Sequence, residues 1–274
     1  VQVVDHIKVH HHRDQLDTPF DLTPIQQFYF QNISQGSHEE AVNQFNQSFL
    51  FRLTSNVPAE QLKDAIDKVV QRHSMLRARF RQSYNSQWKQ TLIGHSDLAY
   101  RFRQHTVNSE QKALDLALHS QEQLDIQNGP VFGAEYFSIP GQSPLFFLVA
   151  HHLVIDLVSW RIIFQELQDS IVGEVAQAPT PPFSFQQWQQ LQAEYAAEHL
   201  LPNQALPYMI PRPDYIYWGM EDVPNFAGDT IQISAILGPR ESEILLTGCH
   251  QTMRTEPLDI LIASLFASFV RTFQ

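Results

Sequence analysis

Cysteine is almost absent from this sequence. Cys249 is the only one in 274 residues, so no disulfide can form within the chain and no thiolate cluster can hold a metal. That usage fits a reducing compartment, and a cytoplasmic location is the expectation. Charge is also scarce, at 17%, and 18 Lys and Arg against 29 Asp and Glu leave a net charge of −11. Phosphate backbones are held by clustered cations, and no such cluster occurs, so nucleic acid is not an expected partner. No apolar run approaches the length needed to span a membrane, so no membrane partner is expected either. The opening VQVVDHIKVHHH has no basic stretch followed by an apolar block, so it does not read as a secretory signal. It also lacks an initial Met, which suggests excision from something longer. The sequons at Asn32 and Asn46 are then chance matches. Apolar residues are plentiful, at 43% with 19 Phe, enough for a substantial core in one large domain or two lobes. A surface so short of charge is expected to be partly covered by neighbouring polypeptide.

Pattern along the chain alternates strands and helices. Thr23-Pro24-Ile25-Gln26 predicts a helix start, with Pro24 at the first helical position and Gln26 closing a capping box. A strand is expected over Asn46–Leu53, and a helix from Pro58 with Leu62, Ile66, Val69 and His73 at helical spacing. Leu76–Arg81 and Trp88–Leu92 read as a hairpin turning near Asn85-Ser86. Glu110–Leu124 predicts an amphipathic helix with Leu114, Ala117, Leu118 and Leu124 on its apolar face. Strands follow at Val131–Phe137 and Leu145–Ala150. The second, LFFLVA, is apolar on both faces and should be covered on both sides. A helix is expected over Val158–Val175, a linker at Ala178–Pro182 (APTPP), and a helix opened by Ser184. Beyond them a strand is expected at Thr230–Leu237, with helices from Pro239 and Pro257. These blocks predict an α/β (α+β) fold of two lobes, 1–178 and 179–274.

Chemistry concentrates in His151-His152-Leu153-Val154-Ile155-Asp156-Leu157-Val158-Ser159-Trp160. Two histidines at the end of a buried strand are unusual, because imidazole is costly to bury without partners. Where a rigid strand gives way to a loop, His152 can point into a cleft and exchange a proton near neutral pH. Asp156 lies too close in sequence for an ordinary metal site and is expected to brace the loop through a charged hydrogen bond. Spacing alone favours a satisfied core pair of histidines, or chance, over a functional pair. Ser159 lacks a nucleophile-elbow context, and Trp160 reads as packing behind the loop. His10-His11-His12 is too splayed to be a metal site.

HHxxxD followed by SW resembles the signature of the condensation superfamily of nonribosomal peptide synthetases, and further motifs occur in the family's order. Pro24-Ile25-Gln26-Gln27-Phe28-Tyr29 resembles the PIQxWF opening of the epimerization branch. Arg72-His73-Ser74-Met75-Leu76-Arg77 resembles RHxxLR, and Leu124-Asp125-Ile126 with Gly129-Pro130 resembles LDxxxGP. Ser184-Phe185-Gln186-Gln187-Trp188 resembles SFxxW, and Asp259-Ile260-Leu261-Ile262 partly matches DxLLxAxG. Leu157 stands where condensation domains usually carry Gly, while PIQxWF and VSWRI (158–162) favour epimerization.

The resemblance implies two chloramphenicol-acetyltransferase-like lobes, the second incomplete in this chain, with a tunnel between them. A phosphopantetheine arm from a peptidyl carrier domain would bring the substrate thioester, with adenylation and condensation domains as neighbours and no cofactor of the chain's own. Carried-over roles make His152 the general acid/base at the α-carbon, with His151 supporting the loop and Asp156 structural and paired with Arg77. Ser159 and Trp160 complete the supporting set. The family's second acid/base, a glutamate in EGHGRE, has no counterpart in this sequence, so residues 1–274 alone are expected to be inactive. The rival readings are a condensation domain forming peptide bonds and a non-catalytic docking module of the same fold.

Overall fold

Every residue of strand β6 (Leu145–His151) is buried, which a strand achieves only when both of its faces are covered. In the computed structural model, which describes residues 14–33, 43–54, 57–94, 98–173, 184–200, 209, 211–212, 214–221, 223 and 229–273, β6 is an inner strand of a four-stranded sheet. The order is β1 (Asn46–Arg52), β6, β5 (Phe132–Ser138), β4 (Arg101–Thr106). β1 and β5 flank β6 antiparallel, and β4 runs parallel to β5.

Helices cover the two faces. Against one pack α2 (Ala59–Arg72) and α4 (Leu157–Val172), through Leu62, Ile66, Val69, Trp160 and Ile163 against Phe132, Phe146 and Leu148. Against the other packs α3 (Glu110–Glu122), over Phe137, Phe147 and Val149. Each large side chain so buried contributes roughly 1.5–3 kcal/mol. A third cluster joins α1 (Pro24–Ile33) to the hairpin of β2 (Ala78–Gln82) and β3 (Trp88–Leu92), with Phe30 stacked on Trp88 at 4.1 Å. Leu76 and Arg77 belong to a 3₁₀ turn, Ser74–Arg77, ahead of that hairpin.

The expected apolar face of α3 is only half right. Ala117 and Leu124 are buried, but Leu118 is 61% exposed and Leu114 borders on exposed; Ala113, Ala117 and Ser120 face the sheet. Small residues let that helix approach closely, and Ser120 Oγ reaches Glu135 Oε1 on β5 at 2.6 Å. Glu135 is itself buried and takes His105 Nε2 at 2.6 Å, which satisfies a carboxylate that would otherwise be costly inside.

Family-like motifs appear as joints. Arg72 and His73 both reach Glu166 of α4, at 3.0 and 2.7 Å. Asp125 Oδ1 accepts from the Gln127 and Asn128 amides at 2.8 and 3.0 Å. Gly129 has φ +87°, and a Cβ there would lie 2.1 Å from the buried Arg79 guanidinium. Ser184 and Gln187 form a complete capping box on α5 (Phe185–His199). Gly173, at φ 80°, ends α4.

Val1–Tyr208 cluster as one compact unit and Met209–Gln274 as another, so α5 belongs with the sheet. The chain thus divides later than the 178/179 boundary expected from the APTPP segment, which lies outside the described residues, as do His10–His12. The second unit holds α6 (Pro239–Glu243), a π-helical stretch (Ile244–Gly248), α7 (Cys249–Met253) and α8 (Pro257–Phe273). The strand expected at Thr230–Leu237 is not formed: these residues are irregular, with Ile233 90% and Ile236 96% exposed. Alternating apolar residues make a strand only where a neighbour supplies the hydrogen-bond ladder, and no described segment pairs with them. Among the described residues no helix is long and apolar enough to cross a membrane.

Candidate active site

β6 ends at His151, and residues 152–156 turn the chain into α4. A loop this close to the core must satisfy its backbone groups internally. His151 N–H donates to Val131 O at 2.9 Å, His152 N–H to Phe45 O at 2.7 Å and Val154 N–H to His151 O at 3.0 Å. Leu153 N–H donates to His151 Nδ1 at 3.2 Å, and Leu153 O accepts from Gln26 Nε2 at 3.0 Å. Gln26 thus does more than cap its helix. Its Oε1 accepts from Thr23 N–H at 2.9 Å, while its Nε2 crosses to the histidine loop.

His151 is wholly buried. Because its Nδ1 accepts the Leu153 amide, the ring proton sits on Nε2, 3.4 Å from the Tyr29 hydroxyl. Tyr29 meets it edge-on at 5.7 Å, and burial raises the phenol well above its usual range. Both ring nitrogens of His151 thus face protein groups, Leu153 N–H and the Tyr29 hydroxyl, and neither faces solvent.

His152 is half-exposed and borders a cleft of 1360 Å³ that Arg77, Asp156 and Trp188 also border. Its Nδ1 is 2.7 Å from Ile155 O, a pure acceptor, so Nδ1 carries the proton. Its Nε2 lies 3.1 Å from Gln47 Nε2, and the Phe45 ring packs 4.8 Å away. The geometry leaves the neutral imidazole with its basic lone pair on Nε2.

Asp156 caps α4. Its Oδ1 accepts the Ser159 amide at 2.7 Å, and that bond, then one from the Ser159 side chain, holds its carboxyl below the usual carboxylate range. The expected pairing of Asp156 with Arg77 is not made. Arg77 is buried, donates from Nε to Val70 O at 3.1 Å and from Nη1 to Ile93 O, and is lowered by burial while Asp14 raises it. The guanidinium finds backbone carbonyls at the end of α2 and past β3, while the helix N-terminus supplies the donors that Asp156 needs. Leu157 is the first residue of α4 and is 58% exposed, so its place calls for no glycine. Trp160 is fully buried and donates from Nε1 to Gln47 Oε1 at 3.1 Å.

The sequence did not mark Gln47, Phe45 or Tyr29 as site residues, although Tyr29 ends the PIQxWF-like segment. A glutamine in a strand has no local signature, and Gln47 meets His152 only because β1 pairs with β6. No group of three His, Cys, Asp or Glu placed to hold a metal occurs among the described residues.

Residues 18–206 match the family model described as the condensation domain. The chain belongs to the condensation-domain family. This condensation-family chain is 40% identical over 259 residues to nonribosomal peptide synthetase 4 of Gibberella zeae, covering 94% of the chain and 3% of that protein. It is 42% identical over 255 residues to nonribosomal peptide synthetase ungA' of Aspergillus campestris, covering 93% and 3%. Among solved structures it resembles the epimerization domain from the third module of tyrocidine synthetase B, with TM-score 0.71 and 24% identity over 92% of this chain and 59% of that one. It also resembles the condensation domain from the monacolin K polyketide synthase MokA, with TM-score 0.68 and 17% identity over 94% and 60%. The fold is chloramphenicol-acetyltransferase-like, and the chain spans about three-fifths of those two solved chains.

Proposed function

We propose that this chain is the histidine-bearing part of an epimerization domain, which inverts the α-carbon of an aminoacyl or peptidyl thioester on a carrier domain's phosphopantetheine arm. The observation that supports it is His152: a half-exposed imidazole on the cleft, with Nδ1–H tied to Ile155 O and its basic nitrogen at Nε2. A thioester acidifies its α-hydrogen. His152 Nε2, whose lone pair the Gln47 NH₂ holds in the resting site and must release, takes that proton, the C–H electron pair passes into the enolate, and a proton delivered to the opposite face completes inversion. The resemblance assigns that second delivery to a glutamate in a motif this sequence does not contain. Gln26, from the segment resembling the epimerization-branch opening, is bonded to the histidine loop at Leu153 O, which joins that motif to the chemistry.

The second reading is peptide-bond formation, with His152 acting on the acceptor amine; the family match and the likeness to a condensation domain favour it. One experiment separates them. The intact domain is given a carrier-bound aminoacyl thioester in deuterated water, with and without a second loaded carrier. Deuterium at the α-carbon and D-product support epimerization. Amide formation without α-exchange overturns it in favour of condensation, and neither reaction leaves a docking role.

A further inference from the structure

Three polar side chains from different elements form one line: Trp160 Nε1 to Gln47 Oε1 at 3.1 Å, Gln47 Nε2 to His152 Nε2 at 3.1 Å, and His152 Nδ1 to Ile155 O at 2.7 Å. Each end of the line has a fixed polarity. Indole N–H can only donate, and a peptide carbonyl can only accept. Trp160 therefore fixes which end of the Gln47 amide faces it, and the amide must turn its NH₂ toward the imidazole. Ile155 O fixes the proton of His152 on Nδ1. The one assignment that satisfies all three contacts is a neutral imidazole whose Nε2 lone pair accepts from Gln47.

We propose that Gln47 is a positioning residue that holds His152 in this neutral, Nδ1-protonated form, and that Trp160 acts through it by locking the amide. If His152 were protonated at rest, its Nε2–H would face the Gln47 NH₂, donor against donor. Flipping the amide would relieve that clash only by turning the NH₂ onto the Trp160 N–H, which is buried and has no freedom to move away. The Asp156 carboxylate attracts a charged His152 and pulls toward the imidazolium; the donor-against-donor clash at Nε2 opposes that pull and favours the resting base. After it has taken a proton the same clash presses it to give the proton up. The consequence for turnover rests on the α-carbon reading above; the tautomer does not.

The test uses the intact domain with Gln47→Glu and Trp160→Phe. Gln47→Glu keeps an acceptor for the indole and places a carboxylate beside Nε2. An opposite charge at that range favours an imidazolium by roughly one to three pH units, so the acid limb of the α-hydrogen exchange profile moves up by that amount while KM for the loaded carrier holds. Trp160→Phe frees the amide to flip and moves the limb the same way, by less. Ring ¹⁵N signals of labelled His152 are read alongside: Nδ1 protonated and Nε2 bare in the wild type, and imidazolium persisting to higher pH in Gln47→Glu. Superimposable profiles and ring signals for the wild type and Gln47→Glu, or a wild-type proton on Nε2, overturn the proposal. If the wild type forms amides without α-exchange, the epimerase reading fails, and the ring signals alone then decide the role of Gln47. If Gln47→Glu does not fold, the wild-type tautomer and Trp160→Phe carry the same decision.

Discussion

Gln26 and Leu153 are 127 positions apart, yet the amide of the first donates to the carbonyl of the second at 3.0 Å. Gln26 is buried, and besides the Thr23 amide it exchanges hydrogen bonds with Gln90 at 3.0–3.1 Å. The bond ties the first helix to the loop bearing His152. Gln26→Leu should cost about 1–3 kcal/mol, because Leu153 O and Gln90 lose a partner inside the protein. Gln26 also borders the cleft, so turnover and substrate affinity should both fall. Chemical denaturation and a kcat against KM comparison check both; unchanged stability would show that water replaces the amide.

His152→Ala should abolish α-hydrogen exchange in the intact domain without unfolding it, because the half-exposed ring contributes little to the core. Exchange near the wild-type rate in a folded variant would remove His152 from the mechanism.

Asp156→Ala should cost about 1 kcal/mol, the usual loss for a helix N-cap, and not the larger penalty of a broken buried ion pair. Asp156→Asn should recover most of it. Hydrogen bonds from Ser159 lower the folded-state pKa of Asp156. Such a group contributes its stabilisation above its unfolded-state pKa and loses it as pH falls through the folded one. The stability gap between wild type and Asp156→Ala should therefore be full at neutral pH and shrink toward strong acid. Denaturation across that range tests it, and a gap that widens on acidification would contradict the cap.

Gly129→Ala should destabilise by roughly 2–5 kcal/mol, combining a left-handed backbone with an added methyl in the space of the Arg79 guanidinium. Arg79 donates to Asn128 O, Ala78 O and Leu98 O at 2.8–3.1 Å, so displacing it breaks several buried bonds at once. Gly129→Ala combined with Arg79→Ala should recover the clash but not the lost hydrogen bonds. A melting curve for Gly129→Ala that overlays the wild type would show that the guanidinium moves aside freely.

Local chemistry made much of this molecule legible from sequence. The capping signals at Pro24 and Ser184, the helical spacing from Leu62 to Val69 and the unbroken apolar run of β6 each state a preference that packing then agrees with. Asp156 makes a hydrogen bond of the charged kind expected of it, but to the Ser159 amide as the cap of α4, a role not read from the sequence. Tertiary structure alone decided the rest. Only strand pairing sets Gln47 of β1 beside His152, and only the turn after α2 delivers Arg77 to the Val70 and Ile93 carbonyls instead of to Asp156. The pattern at Thr230–Leu237 promised a strand, but a strand borrows its hydrogen bonds from a neighbour, and sequence carries no record of which neighbour is there.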